Sequence, residues 1–201
     1  MPRLRARSWR AFDPDAIRER SATLPSVRGA RVRILGLDPG SRCTGYGLVD
    51  WVDGDSIHVA HGCVIARDGP LAERLRVIFE AVERLIGEHC PHEIAVERVF
   101  VNRNVDSALK LGQARGAALS AVPRGTPVFE YAPRAIKMSI VGFGAADKRQ
   151  VAHMMCALLN LAGSIAADAS DALAVAVCHA HARRTDLLEQ AAAALGVGTS
   201  R

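Results

Sequence analysis

The apolar positions of this chain change period several times, and each change marks an element. Val32–Asp38 (VRILGLD) is a β-branched and aliphatic run stopped by Pro39-Gly40, which predicts a buried strand ending in a turn. Two more strands are predicted at Gly45–Val52 and Ile57–Ala66, separated by a turn at Asp53-Gly54. Leu71, Leu75, Ile78, Val82 and Leu85 then alternate spacings of four and three, the mark of an amphipathic helix that closes near Cys90-Pro91. Glu93–Glu97 (EIAVE) is a short strand which, like the first, finishes on a carboxylate.

A long helix is predicted from about Asn104 to Val122, with Asn104 or Asp106 as its cap. Gly112 and Gly116 share one face of it, where another backbone would be able to approach closely. Pro127–Tyr131 reads as a strand and Arg134–Val141 as a short helix. The loop Gly142-Phe143-Gly144 leads to a helix from about Asp147 to Leu161, and a last helix runs from about Asp168 through Arg183. Three early strands followed by helices alternating with single strands imply an α/β fold with a mixed sheet.

Composition adds limits. The chain has 201 residues, 49% hydrophobic and 23% charged, which suits one globular domain and argues against disorder. No apolar run approaches the roughly 18 residues that span a bilayer, so a membrane protein is not expected. The net charge is +5, yet residues 1–33 carry nine arginines against three acids, leaving 17 basic against 18 acidic residues beyond. The basic character therefore belongs to the leader, and a nucleic-acid surface on the folded part must rest on a local patch.

Residues 1–30 lack periodicity and are broken by Pro2, Pro14, Pro25 and Gly29. They read as a disordered basic tail or as residues from an upstream start, with 31–185 the folded domain and 186–201 a tail. A basic tail would add non-specific phosphate affinity. Five cysteines, odd in number and without a CxxC pair, read as free thiols in a reducing cytosol. The seven histidines meet no zinc-finger spacing, so a zinc site is not expected, and most are read as exposed or locally bonded.

Four acids stand where an acid needs a reason. Asp38 and Glu97 end apolar strands, while Asp168 and Asp171 lie three apart in AADASDALAVAV and share a helix face. Helix N-terminal electrostatics would explain Asp168 without a metal, and a lone strand-end Glu is commonly a surface acid. If the sheet brings the four together, their mutual repulsion and desolvation are relieved by hard divalent cations. Paired ions of that kind favour phosphodiester hydrolysis, and no GxSxG elbow offers acyl transfer instead.

The segments ILGLDPGSRCTGYG (34–47), ERVFVNRNVDSALKLGQARG (97–116), PVFEYAPRAIKMSIVGFGAADKRQVAHMM (127–155) and DASDALAVAVCHAH (168–181) resemble the RuvC family of Holliday-junction resolvases. The resemblance implies a ribonuclease-H-like fold, a mixed five-stranded sheet flanked by helices. It also implies a cytoplasmic homodimer that nicks two opposed strands of four-way junction DNA in recombination and repair. Its cofactor would be Mg²⁺, two ions per site, with Mn²⁺ as a substitute. Its partners would be a junction-binding protein and a branch-migration motor.

Carried over by position, Asp38, Glu97, Asp168 and Asp171 match the catalytic, metal-binding acids. Phe100 matches the aromatic that stacks at the crossover, although its place between Val99 and Val101 equally suits a core or interface. Lys137 and Lys148 match bases near the scissile phosphate. Lys110, Arg115 and Arg149 recur in the same segments and, if clustered, would extend a phosphate-binding face; Arg183 and Arg184 read as solvated. Two rivals remain. DPGSRCTGYG also resembles the first phosphate loop of actin-like ATPases and sugar kinases, but no second such loop is present. A non-catalytic junction-binding module is disfavoured by the presence of all four acids.

Overall fold

The computed structural model describes residues 31–99 and 105–194. The leader 1–30, Phe100 and the last residues from 195 lie outside the described part. Five strands form one sheet: β1 (Val32–Asp38), β2 (Cys43–Val52), β3 (Asp55–Ile65), β4 (Glu93–Glu97) and β5 (Val128–Tyr131). Their order is β3-β2-β1-β4-β5. The first three form an antiparallel meander, and β4 and β5 then add in parallel. The helices are α1 (Leu71–His89), α2 (Val105–Ser120), α3 (Pro133–Val141), α4 (Lys148–Leu158) and α5 (Ala167–Ala194). The expected mixed five-stranded sheet is present, with boundaries shifted by one to three residues at most ends. The exception is α5, which continues past Arg183 to Ala194.

The period of two along the strands sorts the core into two layers. Leu35, Leu37, Leu48, Ile94 and Val96 face α1 and α2, where Ile78, Val82, Ala114 and Ala118 meet them. Ile34, Val49, Trp51 and Ala95 face the other way, against Ile136, Met155, Leu173 and Val177 of α3, α4 and α5. Asp38 and Glu97 belong to this second face because they fall in register with its inward positions. Each is the last residue of its strand, and β1 and β4 run parallel, so the two carboxylates emerge at the same sheet end.

Three glycines set how closely α5 lies on that face. A Cβ at Gly45 would sit 2.0 Å from the Asp168 carbonyl oxygen, and one at Gly36 2.2 Å from that of Ala172. At Gly47 it would meet the Leu173 backbone nitrogen at 2.7 Å. Bare backbone at these positions lets the helix rest on the strands. The pair expected to permit close approach, Gly112 and Gly116, instead faces open space, with nothing described within 4 Å of either Cβ position.

Sequence expectation also fails at Arg183, and His179 is the buried exception among the histidines. Arg183 is 1% exposed rather than solvated, paired with Glu93 and stacked over Trp51 at 5.2 Å. His179, equally buried, bonds Glu93 through Nε2 at 2.7 Å and the Tyr131 hydroxyl through Nδ1 at 2.7 Å. Both side chains leave α5 toward the interior, where an Arg or His persists only with partners. Among the described residues no helix is long and apolar enough to cross a membrane.

Candidate active site

The strand-end acids reach their position through a rigid turn. After Asp38, the chain reverses through Pro39-Gly40-Ser41-Arg42, and the Thr44 hydroxyl donates to the Gly40 carbonyl at 3.2 Å. Arg74 of α1 donates from Nε to the Ala66 carbonyl at 2.7 Å and from its guanidinium to the Ser41 carbonyl, binding the turn to the helix. Arg74 is a positioning residue the sequence did not reveal, because nothing in the periodicity of α1 aims it at residues 33 positions away.

On the facing side, Pro133 opens α3 and Asp147 caps α4. The Asp147 carboxylate accepts from the Gln150 amide at 2.8 Å, and Gln150 accepts in return from the Asp147 amide at 2.9 Å. Such a capping box stabilises a helix start by about 1 kcal/mol and here fixes the direction in which Lys148, the next residue, leaves.

These elements enclose a cleft of about 260 Å³ lined by Asp38, Glu97, Lys137, Lys148 and Asp171, with Pro133, Ile136, Val151 and Ala174 as its apolar wall. A second cleft of about 220 Å³ adjoins it, sharing Asp38, Glu97 and Pro133 and adding Arg98 and Leu111. Burial and the Glu97 and Asp171 charges push the Asp38 carboxyl up to about 7. Burial, then Asp171, also raises Glu97, while the Lys148 and Lys137 charges offset part of the rise. Lys148 Nζ sits 2.5 Å from Asp171 Oδ2, and that bond raises the lysine in turn. Three carboxylates thus line a partly dry cleft, one more than its two lysines can neutralise by direct pairing.

The fourth acid turns away. Asp168 acts on Asp38 through its charge but does not line the cleft; a carboxylate oxygen of it lies within 4.8 Å of the Cys43 and Cys63 sulfurs. Among the described residues, the donor atoms of Asp168, Cys43 and Cys63 form the one group of three within 4.8 Å of one another, so the three cleft acids do not all lie that close together. All five cysteines are free, as expected.

The bases expected to meet phosphate divide. Lys137 and Lys148 reach the cleft. Arg149 is exposed on α4. Lys110 lies on the outer surface of α2, paired with Asp106 at 2.6 Å one turn away. Arg115 is largely covered, donating to Glu130 at 2.6 Å and to the Glu97 carbonyl at 3.4 Å, so it braces the end of β4. Spacing along α2 gave both residues a basic character but not the acids that engage them.

A hard, oxygen-only donor set of crowded carboxylates suits a divalent cation such as Mg²⁺. Comparison with known proteins gives the family. The family model of "Crossover junction endodeoxyribonuclease RuvC" matches residues 34–179. The RuvC of Methylococcus capsulatus is 57% identical over 154 residues, 76% of this chain and 93% of that one. The RuvC of Halorhodospira halophila is 58% identical over 158 residues, 77% of this chain and 93% of that one. Among solved structures, Thermus thermophilus RuvC in complex with a Holliday junction substrate superposes with a TM-score of 0.72 at 31% identity, covering 78% of this chain and 97% of that one. The yeast mitochondrial Holliday junction resolvase Ydc2, at 13% identity and a TM-score of 0.56, shares the fold. With the ribonuclease-H-like sheet, the acidic strand ends and a family match spanning almost all of the described residues, the chain belongs to the RuvC family.

Proposed function

We propose that this protein is a metal-dependent, structure-specific DNA endonuclease that resolves four-way junctions by nicking two opposed strands as a homodimer. The observation that carries the reading is the cleft where Asp38, Glu97 and Asp171, from three separate elements, face Lys137 and Lys148. Its kinship with a relative solved on a Holliday junction gives the substrate class. Family kinship likewise supports partnership with a junction-binding protein and a branch-migration motor.

Asp38, Glu97, Asp171 and, after a change of rotamer, Asp168 would hold the ions, Mg²⁺ or Mn²⁺ in its stead. When bound, the ions supply a water of lowered pKa and charge stabilisation on the leaving oxygen of an in-line displacement. The chain's own residues do the rest. Lys137 and Lys148 hold the scissile phosphate at the open side of the cleft and offset its charge. The apolar wall of Ile136, Val151 and Ala174 limits water beside the acids, which strengthens every electrostatic contact there. Pro133 and the capped start of α4 keep both lysines on rigid helices rather than loops.

The test is incubation with a synthetic four-way junction and with linear duplex, in Mg²⁺ and in chelator. Paired symmetric nicks on the branched DNA, only with the cation, are expected. ATP hydrolysis without nicking would overturn the reading in favour of a phosphate-loop protein.

A further inference from the structure

Beside the acidic cleft lies a second donor cluster of different chemistry. Cys43 opens β2 and Cys63 lies near the end of β3, in register with Gly45. Residues 43, 45 and 63 all point to the α5 face of the sheet, since side chains alternate and paired residues share a face. The bare backbone of Gly45 brings the start of α5 down onto this spot, with the Asp168 carbonyl against it. Two thiols and one carboxylate therefore converge, their donor atoms all within 4.8 Å, although twenty residues separate the cysteines in the chain. None of the three is sealed in the core; each is half-buried.

We propose that Cys43, Cys63 and Asp168 form a binding site for a thiophilic divalent cation, Zn²⁺ by chemical class, which lies beside the oxygen-lined cleft and competes with it for Asp168. Two sulfurs select against Mg²⁺, a hard ion that prefers oxygen, and a Cys₂Asp set leaves a fourth tetrahedral position to water. Binding releases the two thiol protons to solvent and forms two metal–sulfur bonds and one metal–oxygen bond; no electron is transferred.

The site has a consequence for the nuclease, and this part rests on the reading above. Asp168 lies three residues before Asp171 on α5 and acts on Asp38 through its charge. A cation held by both thiols keeps the Asp168 carboxylate turned toward β2 and β3 and withholds it from the Mg²⁺ site. Micromolar Zn²⁺ then acts as an inhibitor that excess Mg²⁺ does not readily displace.

The probe is Cd²⁺, whose bond to thiolate gives a near-ultraviolet charge-transfer band, titrated into full-length reduced protein. One ion per chain with a band of two-thiolate intensity is expected, lost in Cys43→Ser and in Cys63→Ser and retained in Cys90→Ser, which alters an exposed thiol elsewhere. Zn²⁺ added to a Mg²⁺ nicking reaction should stop the native protein and spare Cys63→Ser. Absence of the band, or a band unchanged in both serine variants, overturns the site. Equal Zn²⁺ inhibition of the native and Cys63→Ser proteins overturns its link to Asp168. If no protein nicks junctions in Mg²⁺, the nuclease reading fails while the Cd²⁺ band still decides the site.

Discussion

At the scale of single residues, one carboxyl records the tension of the site. Asp38 stands at about 7 against 3.8 for an ordinary aspartate, from burial and from the neighbouring Glu97 and Asp171. The folded chain therefore keeps a proton that the unfolded chain gives up near pH 4. Without a divalent cation, stability falls as pH rises between those two values, by roughly 4 kcal/mol in all. A cation that replaces the proton relieves the cost. Mg²⁺ should accordingly raise the melting temperature more at about pH 8 than at about pH 5.5, where protons compete for the same oxygen. Equal shifts at both would remove Asp38 from the ligands. Asp171→Asn should keep junction affinity in a gel-shift assay and lower Mg²⁺-dependent nicking by more than about 100-fold, beyond the effect of an outer-shell partner. Residual nicking near the native rate would exclude Asp171. These four acids were legible from the chain because strand ends and an i,i+3 pair are local features. That Asp168 would turn to two thiols was not, since Cys43 and Cys63 meet it only through the sheet.

At the scale of elements, α5 is placed by what lies under it and by what it buries. Gly36, Gly45 and Gly47 bear its backbone directly, so Gly47→Ala forces a methyl into Leu173. A loss of about 1–3 kcal/mol or more in urea denaturation is expected, as for other overpacked contacts. Gly112→Ala should do the reverse. It is exposed on α2 with open space around it, and alanine favours a helix by about 1 kcal/mol over glycine. The middle of α5 is held by Glu93, His179 and Arg183. Burial works against the Glu93 charge, but the His179 bond and the Arg183 charge outweigh it and hold the carboxyl below the usual glutamate range. Its contribution is complete above the unfolded value and fades as pH falls through the folded one. Arg183→Met, which strands a buried carboxylate, should cost about 3–5 kcal/mol in chemical denaturation, and adding Glu93→Gln should recover part of it. Strictly additive losses would mean the pair does not interact. Among the glycines, the sequence drew attention to Gly112 and Gly116, because a shared helix face is a local property whereas contact with α5 is not.

At the scale of the whole molecule, two acidic clefts related by a twofold axis would suit the two opposed strands of a junction, one symmetry operator serving both cuts. Mixed dimers test this. Native and Asp171→Asn chains, differently tagged and purified as heterodimers, should leave one nick per junction, with native dimers leaving two. Two nicks from the mixed dimer would show that one cleft serves both strands. Sheet order, layer composition and the parallel pairing of β1 with β4 all serve this site, since they bring the ends of two distant strands to one edge of the molecule.

The amino-acid sequence alone determined the elements and the acids at the strand ends, because period, turn residues and charge are written over a few neighbouring positions. Only the tertiary structure decided which bases serve the cleft. Lys137 and Lys148 line it, Lys110 pairs on its own helix, and Arg115 braces Glu97 and Glu130. It also decided that Arg183 and His179 are core residues and that two cysteines twenty positions apart come within 4.8 Å of one carboxylate. The physical reason is the same each time: a side chain's charge and burial depend on what folds against it, and that partner comes from elsewhere in the chain.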